Sequence, residues 1–124
     1  MGRTLNVASA AITTTGAAGS ATGSGTVAAA PGELAFVKLD YHASAPGATT
    51  DVTLTQTAEP TAILTNTDSA TDTIVCPRLS CVSTANAAIT DSHAPLYIHG
   101  PVSVAVAGCN ALTAAVTVYV GTWS

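Results

Sequence analysis

The sequence predicts an all-β fold, a small antiparallel β-sandwich or jelly-roll-like barrel of six to eight short strands. Three observations predict it. Short runs alternate apolar and polar residues with a period of two. Clusters of Gly, Pro, Asn, Asp and Ser interrupt these runs at short intervals. No stretch sustains a helical period long enough for a long helix, and short strands with frequent turns belong to sandwiches and small barrels.

The elements follow in chain order. Residues 4–13 (TLNVASAAIT) alternate loosely and suit either a first strand or an extended arm. Residues 16–25 (GAAGSATGSG) are flexible by composition. The one compositional break falls near residue 30, so residues 1–30 are expected to form an arm or first strand plus an Ala/Gly/Ser linker, and residues 31–124 the β-sandwich domain. Residues 34–44 are strand-like, with Leu34, Phe36 and Lys38 on one parity and Ala35, Val37, Leu39 and Tyr41 on the other. After the turn APGATT, residues 51–57 place Val52 and Leu54 opposite Asp51, Thr53 and Thr55. Residues 61–67 make a further strand, and 73–77 a short one stopped by Pro77, which removes a donor. Residues 78–95 lack any clear period and read as a long excursion holding at most one helical turn. LYIHG (96–100) is a strand ending at Gly100. Residues 101–108 set Val102, Val104 and Val106 against Ser103, Ala105 and Ala107; residues 115–123 set Val116, Val118 and Val120 against Thr117, Tyr119 and Gly121. With GCNALT between them, these last two strands are expected to pair as a hairpin.

Composition bounds the function. A chain of 124 residues suits one domain that buries about two thirds of its extended surface. Charged residues are only 8%, against about 25% in ordinary domains. The formal net charge is −4, and the basic residues are Arg3, Lys38 and Arg78 alone. Three cations cannot track a phosphate backbone, so direct nucleic-acid binding is disfavoured. A polybasic membrane patch is absent, and no run of 18 apolar residues offers a transmembrane helix. The first twenty residues lack a signal-peptide core, and Asn6 breaks the myristoylation pattern that Gly2 would begin, so synthesis in the cytoplasm is expected. A surface of Thr, Ser and Ala packs against other proteins at low desolvation cost.

No catalytic, cofactor or metal motif emerges, and the chain is expected not to be an enzyme. The glycine-rich stretch lacks the strand–loop–helix context of a phosphate cradle. Asp91, Ser92 and His93 are adjacent, and neighbours on an extended chain point to opposite sides. His42, His93 and His99 lack ligand spacing; His42 and His99 are read as ending strands and hydrogen-bonding locally. The cysteines are Cys76, Cys81 and Cys109; the readings open to them are free thiols, a Cys76–Cys81 bridge across Pro77, or zinc ligation. Four residues are candidates for protein contact: Arg78, Tyr41, Tyr97 and Trp123. Arg78 either meets a partner or ties the long excursion to the body. Trp123 either plugs the core or docks on a neighbour.

The runs LDYHASAPGATTDVTLTQTAEPTAIL, IVCPRL and APLYIHGPVSVAVAG resemble short tailed-bacteriophage virion structural proteins of the head-decoration, or capsid-cement, type. The residues carrying the resemblance are Tyr41, Thr50 to Thr53, Pro77 and Arg78, Tyr97, Gly100 and Val102 to Val106. It spans roughly residues 34 to 120; the three cysteines and the Ala/Gly-rich leader depart from the pattern. The resemblance implies a non-catalytic homotrimer on the capsid exterior, made in the host cytoplasm. It would bridge capsomers by binding the major capsid protein. The alternative it leaves open is a tail, connector or fibre-associated module that binds a receptor or glycan.

Overall fold

A computed structural model describes residues 3–44, 46–58, 62–82 and 84–124, with backbone alone at 80–82 and 88–92. The fold is all-β, as the alternation predicts, and none of the described residues is helical. Its strands are β1 (Leu5–Ile12), β2 (Ala21–Val27), β3 (Gly32–Tyr41), β4 (Asp51–Gln56), β5 (Ala62–Asn66), β6 (Thr73–Val75), β7 (Arg78–Val82), β8 (Ala88–Pro95), β9 (Tyr97–Ile98), β10 (Val102–Cys109) and β11 (Val116–Trp123). That is more strands than the six to eight expected, because stretches read as linker and excursion are also paired.

One sheet runs β1-β11-β3-β6, with β9 on the other end of β3; the second runs β2-β10-β4-β5; β7 and β8 pair apart. All pairings are antiparallel. The core lies between the two larger sheets. Val52, Leu54, Val102, Val104 and Val106 from the second sheet are buried with Val37, Leu39, Val116, Val118 and Val120 from the first. These are the valine faces of the alternating runs. Burying each such side chain contributes on the order of 1.5–3 kcal/mol before entropy is counted.

Four expectations need correction. First, β10 and β11 are not a hairpin: they lie in different sheets, each flanked on both sides. The connection between them crosses the sandwich and is held by buried Thr14. The Thr14 hydroxyl donates to the Asn110 carbonyl at 2.7 Å and accepts from the Leu112 N–H at 3.0 Å. Second, the Gly-rich stretch is not simply a linker. Residues 16–20 turn the chain, and Ala21–Val27 form β2 against β10. Its small residues answer a close approach: Ile12 of β1 packs over β2, where a Cβ at Gly25 would meet Ile12 Cδ1 at 2.6 Å. Third, residues 78–95 form the β7–β8 pair rather than an irregular excursion. Fourth, β3 does not keep one parity. Gly121 opposes Phe36 and Thr122 opposes Leu34, so Ala35 is a bulge. Leu34 therefore joins Val37, Leu39 and Tyr41 in the core, while Phe36, Lys38 and Asp40 turn outward.

Candidate protein-contact face

The outer face of the β1-β11-β3 sheet is built by three strands whose inward residues are already committed to the core. On β11, Val116, Val118 and Val120 point in, so Thr117, Tyr119, Gly121 and Trp123 point out. On β1 the exposed positions are Leu5, Val7, Ser9 and Ala11. Antiparallel register aligns these side chains in rows. One row is Leu5, Trp123, Glu33 and Tyr97. The next is Val7, Gly121 and Phe36. The third is Ser9, Tyr119, Lys38 and Ile74.

This arrangement places Phe36, Tyr97, Tyr119 and Trp123 on one outer face. The chain has only five aromatic residues, so the core keeps just Tyr41. Tyr97 is 57% exposed and Ile74 is 68% exposed, values that leave large apolar area in water. One exposed and three half-buried aromatics share this face, and protein contacts are enriched in such side chains.

The charges on the face are organised around the rings. Arg3 Nη2 lies 3.0 Å from Glu33 Oε2, and the guanidinium stands 5.3 Å from the Trp123 ring centroid. Lys38 Nζ stands 5.4 Å from the Tyr119 centroid. Each contact is solvated, so each contributes no more than about 1 kcal/mol. Two basic and two acidic groups (Arg3, Lys38, Glu33 and Asp40) balance on this face, which leaves the net charge of −4 to the rest of the chain.

The expected contact residues divide. Tyr97 and Trp123 share the row on either side of Glu33. Trp123 is half-buried beneath Arg3, so it is not a core plug. Tyr41 is 6% exposed and is corrected to a core residue; its hydroxyl accepts from Asn66 Nδ2 at 2.8 Å. Burial raises its pKa above the usual 10.0, the Asn66 hydrogen bond opposes that, and Asp72 and then Cys109 add to it. Arg78 is exposed at the start of β7, in the separate sheet, and does not join the face.

Sequence reasoning missed Phe36, Tyr119, Lys38 and Ile74. The signal was legible in part, because Tyr119 alternates with the valines of residues 116–120. Phe36 and Lys38 already share the parity opposite Val37 and Leu39; Leu34, which that parity also holds until the bulge turns it inward, masked the face as an outer one.

His42 and His99 do end strands: His42 Nδ1 accepts from the Ser44 N–H at 2.9 Å, and the His99 N–H donates to Gln56 Oε1 at 2.9 Å. No group of three metal-ligating side chains occurs among the described residues. The Cys76 thiol is exposed and that of Cys109 is buried. The side chains of Cys81, Asp91 and Ser92 lie outside the described residues. The outer face of the other sheet has a shallow depression of about 320 Å³ lined by Ser24, Thr26, Thr53, Thr55, Ser103 and Ala105, with no ionisable group in it. Compared with protein-family models, curated proteins and solved structures, the chain gives no match.

Proposed function

We propose that this chain is a structural virion protein of the head-decoration type, which stabilises a phage capsid stoichiometrically by bridging capsomers of the major capsid protein. The observation that carries the proposal is the placement of Phe36, Tyr97, Tyr119 and Trp123 on one outer sheet face of a chain with 8% charged residues. Such a face binds protein rather than phosphate or a membrane headgroup layer. The resemblance over residues 34 to 120 supplies the identity of the partner and implies a homotrimer. Each bound copy would add a small stabilising free energy to the lattice by mass action.

A second reading is a fibre-associated module that binds a glycan. The row Trp123, Glu33, Tyr97 favours it, because sugars stack on aligned aromatics. Arg3 over Trp123 and Lys38 over Tyr119 weigh against it, since each cation covers a ring face a sugar would use.

The test is to mix purified protein with undecorated capsids and measure saturable binding and the temperature of shell disruption. Binding that saturates, raises that temperature and weakens at least about tenfold in a Tyr97→Ala, Trp123→Ala variant supports the proposal. No binding to mature shells removes it, and retention on a glycan array would move the assignment to the second reading.

A further inference from the structure

We infer that two copies of this chain pair through the free edge of β1, joining their sheets across a twofold axis at Ala8. The inference does not rest on the capsid reading: it uses the backbone edge of β1, whose outward side chains Leu5, Val7 and Ser9 also border the contact face.

β1 ends the order β1-β11-β3-β6; among the described residues no strand pairs with the other side of Leu5–Ile12, and β2 meets that side only beyond it, at the Thr15–Thr22 bridge. Which groups face the open side follows from register. Thr4 and Ser124 exchange both backbone hydrogen bonds, at 3.0 Å each. Antiparallel ladders alternate hydrogen-bonded and non-hydrogen-bonded pairs. With Leu5 opposite Trp123 and Ile12 opposite Val116, the bonded positions on β1 are Asn6, Ala8, Ala10 and Ile12. The N–H and C=O groups of Leu5, Val7, Ser9 and Ala11 therefore point away from β11. The same four residues are exposed.

Edges of this kind are ordinarily blunted by charge, proline, a bulge or brevity. β6 has three residues, and β5 meets β4 through a register irregularity. β1 has eight residues (LNVASAAI), with no charge, no proline and an unbroken register.

The occupant is a second copy. The strand carries no charge, so two chains of net charge −4 can bring these edges together without like charges facing each other at the contact. An antiparallel pairing centred on Ala8 is also self-complementary. It sets Leu5 opposite the partner's Ala11 and Val7 opposite the partner's Ser9, and each pair exchanges two backbone bonds. Ala8 meets its own copy on the axis, where a small side chain fits. One contact satisfies both open edges, as an isologous interface does, and it closes at two copies in place of the trimer that the resemblance implies.

The test is sedimentation equilibrium of the full chain, without capsids, from about 1 to 200 μM, alongside three variants checked for unchanged circular dichroism. Val7→Lys with Ser9→Lys sets like charges opposite each other across the axis and should weaken dimerisation at least about tenfold. Val7→Lys with Ser9→Glu sets opposite charges in the same pairs and should restore it to within about threefold of the parent. Val7→Pro removes a free-edge N–H without touching a bond to β11 and should also weaken the dimer. A parent that stays monomeric or forms trimers overturns the inference. So does a dimer that the lysine pair leaves unchanged, or one that the charge-reversed pair fails to restore. Capsid binding is measured on the parent and on the Tyr97→Ala, Trp123→Ala variant, neither altered in β1, so either proposal can fail alone.

Discussion

The ring of Phe36 occupies the space that a side chain at Gly121 would need: a Cβ there would lie 2.2 Å from Phe36 Cε1. The two residues are cross-strand partners at the β3 bulge. Gly121→Ala should therefore destabilise the fold by about 1–3 kcal/mol, through displacement of the ring. In a Phe36→Ala background the same change should cost much less. Urea denaturation of the four proteins in that cycle checks the coupling, and equal costs in both backgrounds would show the ring is not the obstacle.

Gln56 latches the two sheets together. Its buried side chain donates from Nε2 to the Tyr97 carbonyl at 3.0 Å and accepts the His99 N–H at Oε1, tying β4 to the segment around β9. Gln56→Leu keeps the volume but strips both backbone groups of these bonds. We expect a loss of about 2–4 kcal/mol, read as a lower urea midpoint with an unchanged slope.

Thr122 offers the opposite case. Its hydroxyl is fully buried with no hydrogen-bond partner among the described residues. Thr122→Val replaces it with a methyl of the same shape, so stability should rise by about 1 kcal/mol and Tm by several degrees. A lower Tm in calorimetry would mean the hydroxyl has a partner.

Gly23 tests the reading of the Gly-rich stretch. A Cβ at this position would lie 2.3 Å from the Thr13 carbonyl oxygen, which is backbone and cannot rotate away. Gly23→Ala should cost about 2 kcal/mol or more, whereas a linker glycine would tolerate it. Thermal unfolding of this variant against Ser24→Ala, on the exposed parity of β2, separates the two.

Tyr41 makes stability depend on alkaline pH. Its folded pKa is raised above 10.0, chiefly by burial, so above that value the unfolded chain gives up the proton more readily than the folded one. The stability tied to this group is complete below pH 10.0 and is lost as pH rises toward and through the folded pKa. Denaturation midpoints should fall across that window in the parent and fall less in Tyr41→Phe. The variant should also be weaker by about 1 kcal/mol at neutral pH, because Asn66 loses its acceptor.

The sequence by itself determined the β class, the position of most strands and the inward faces of β4, β10 and β11. Those properties are local, because a period of two assigns each residue to a side wherever the strand is laid. It did not determine which strands are neighbours. Val102 to Val106 and Val116 to Val120 carry the same alternation whether they pair with each other or sit in opposite sheets, and only the packing of Val37, Leu39, Val52 and Leu54 between the sheets separates them. Two further features belong to the tertiary structure alone. The bulge at Ala35 turns Leu34 inward beside Val37, while Phe36 stays out over Gly121. The second sheet runs close under Ile12, and that approach makes a strand of the Gly-rich stretch, whose composition read as a linker. Tyr97 and Trp123, candidates from the start, became neighbours across Glu33 only through pairings of distant segments, and no local pattern encodes that register.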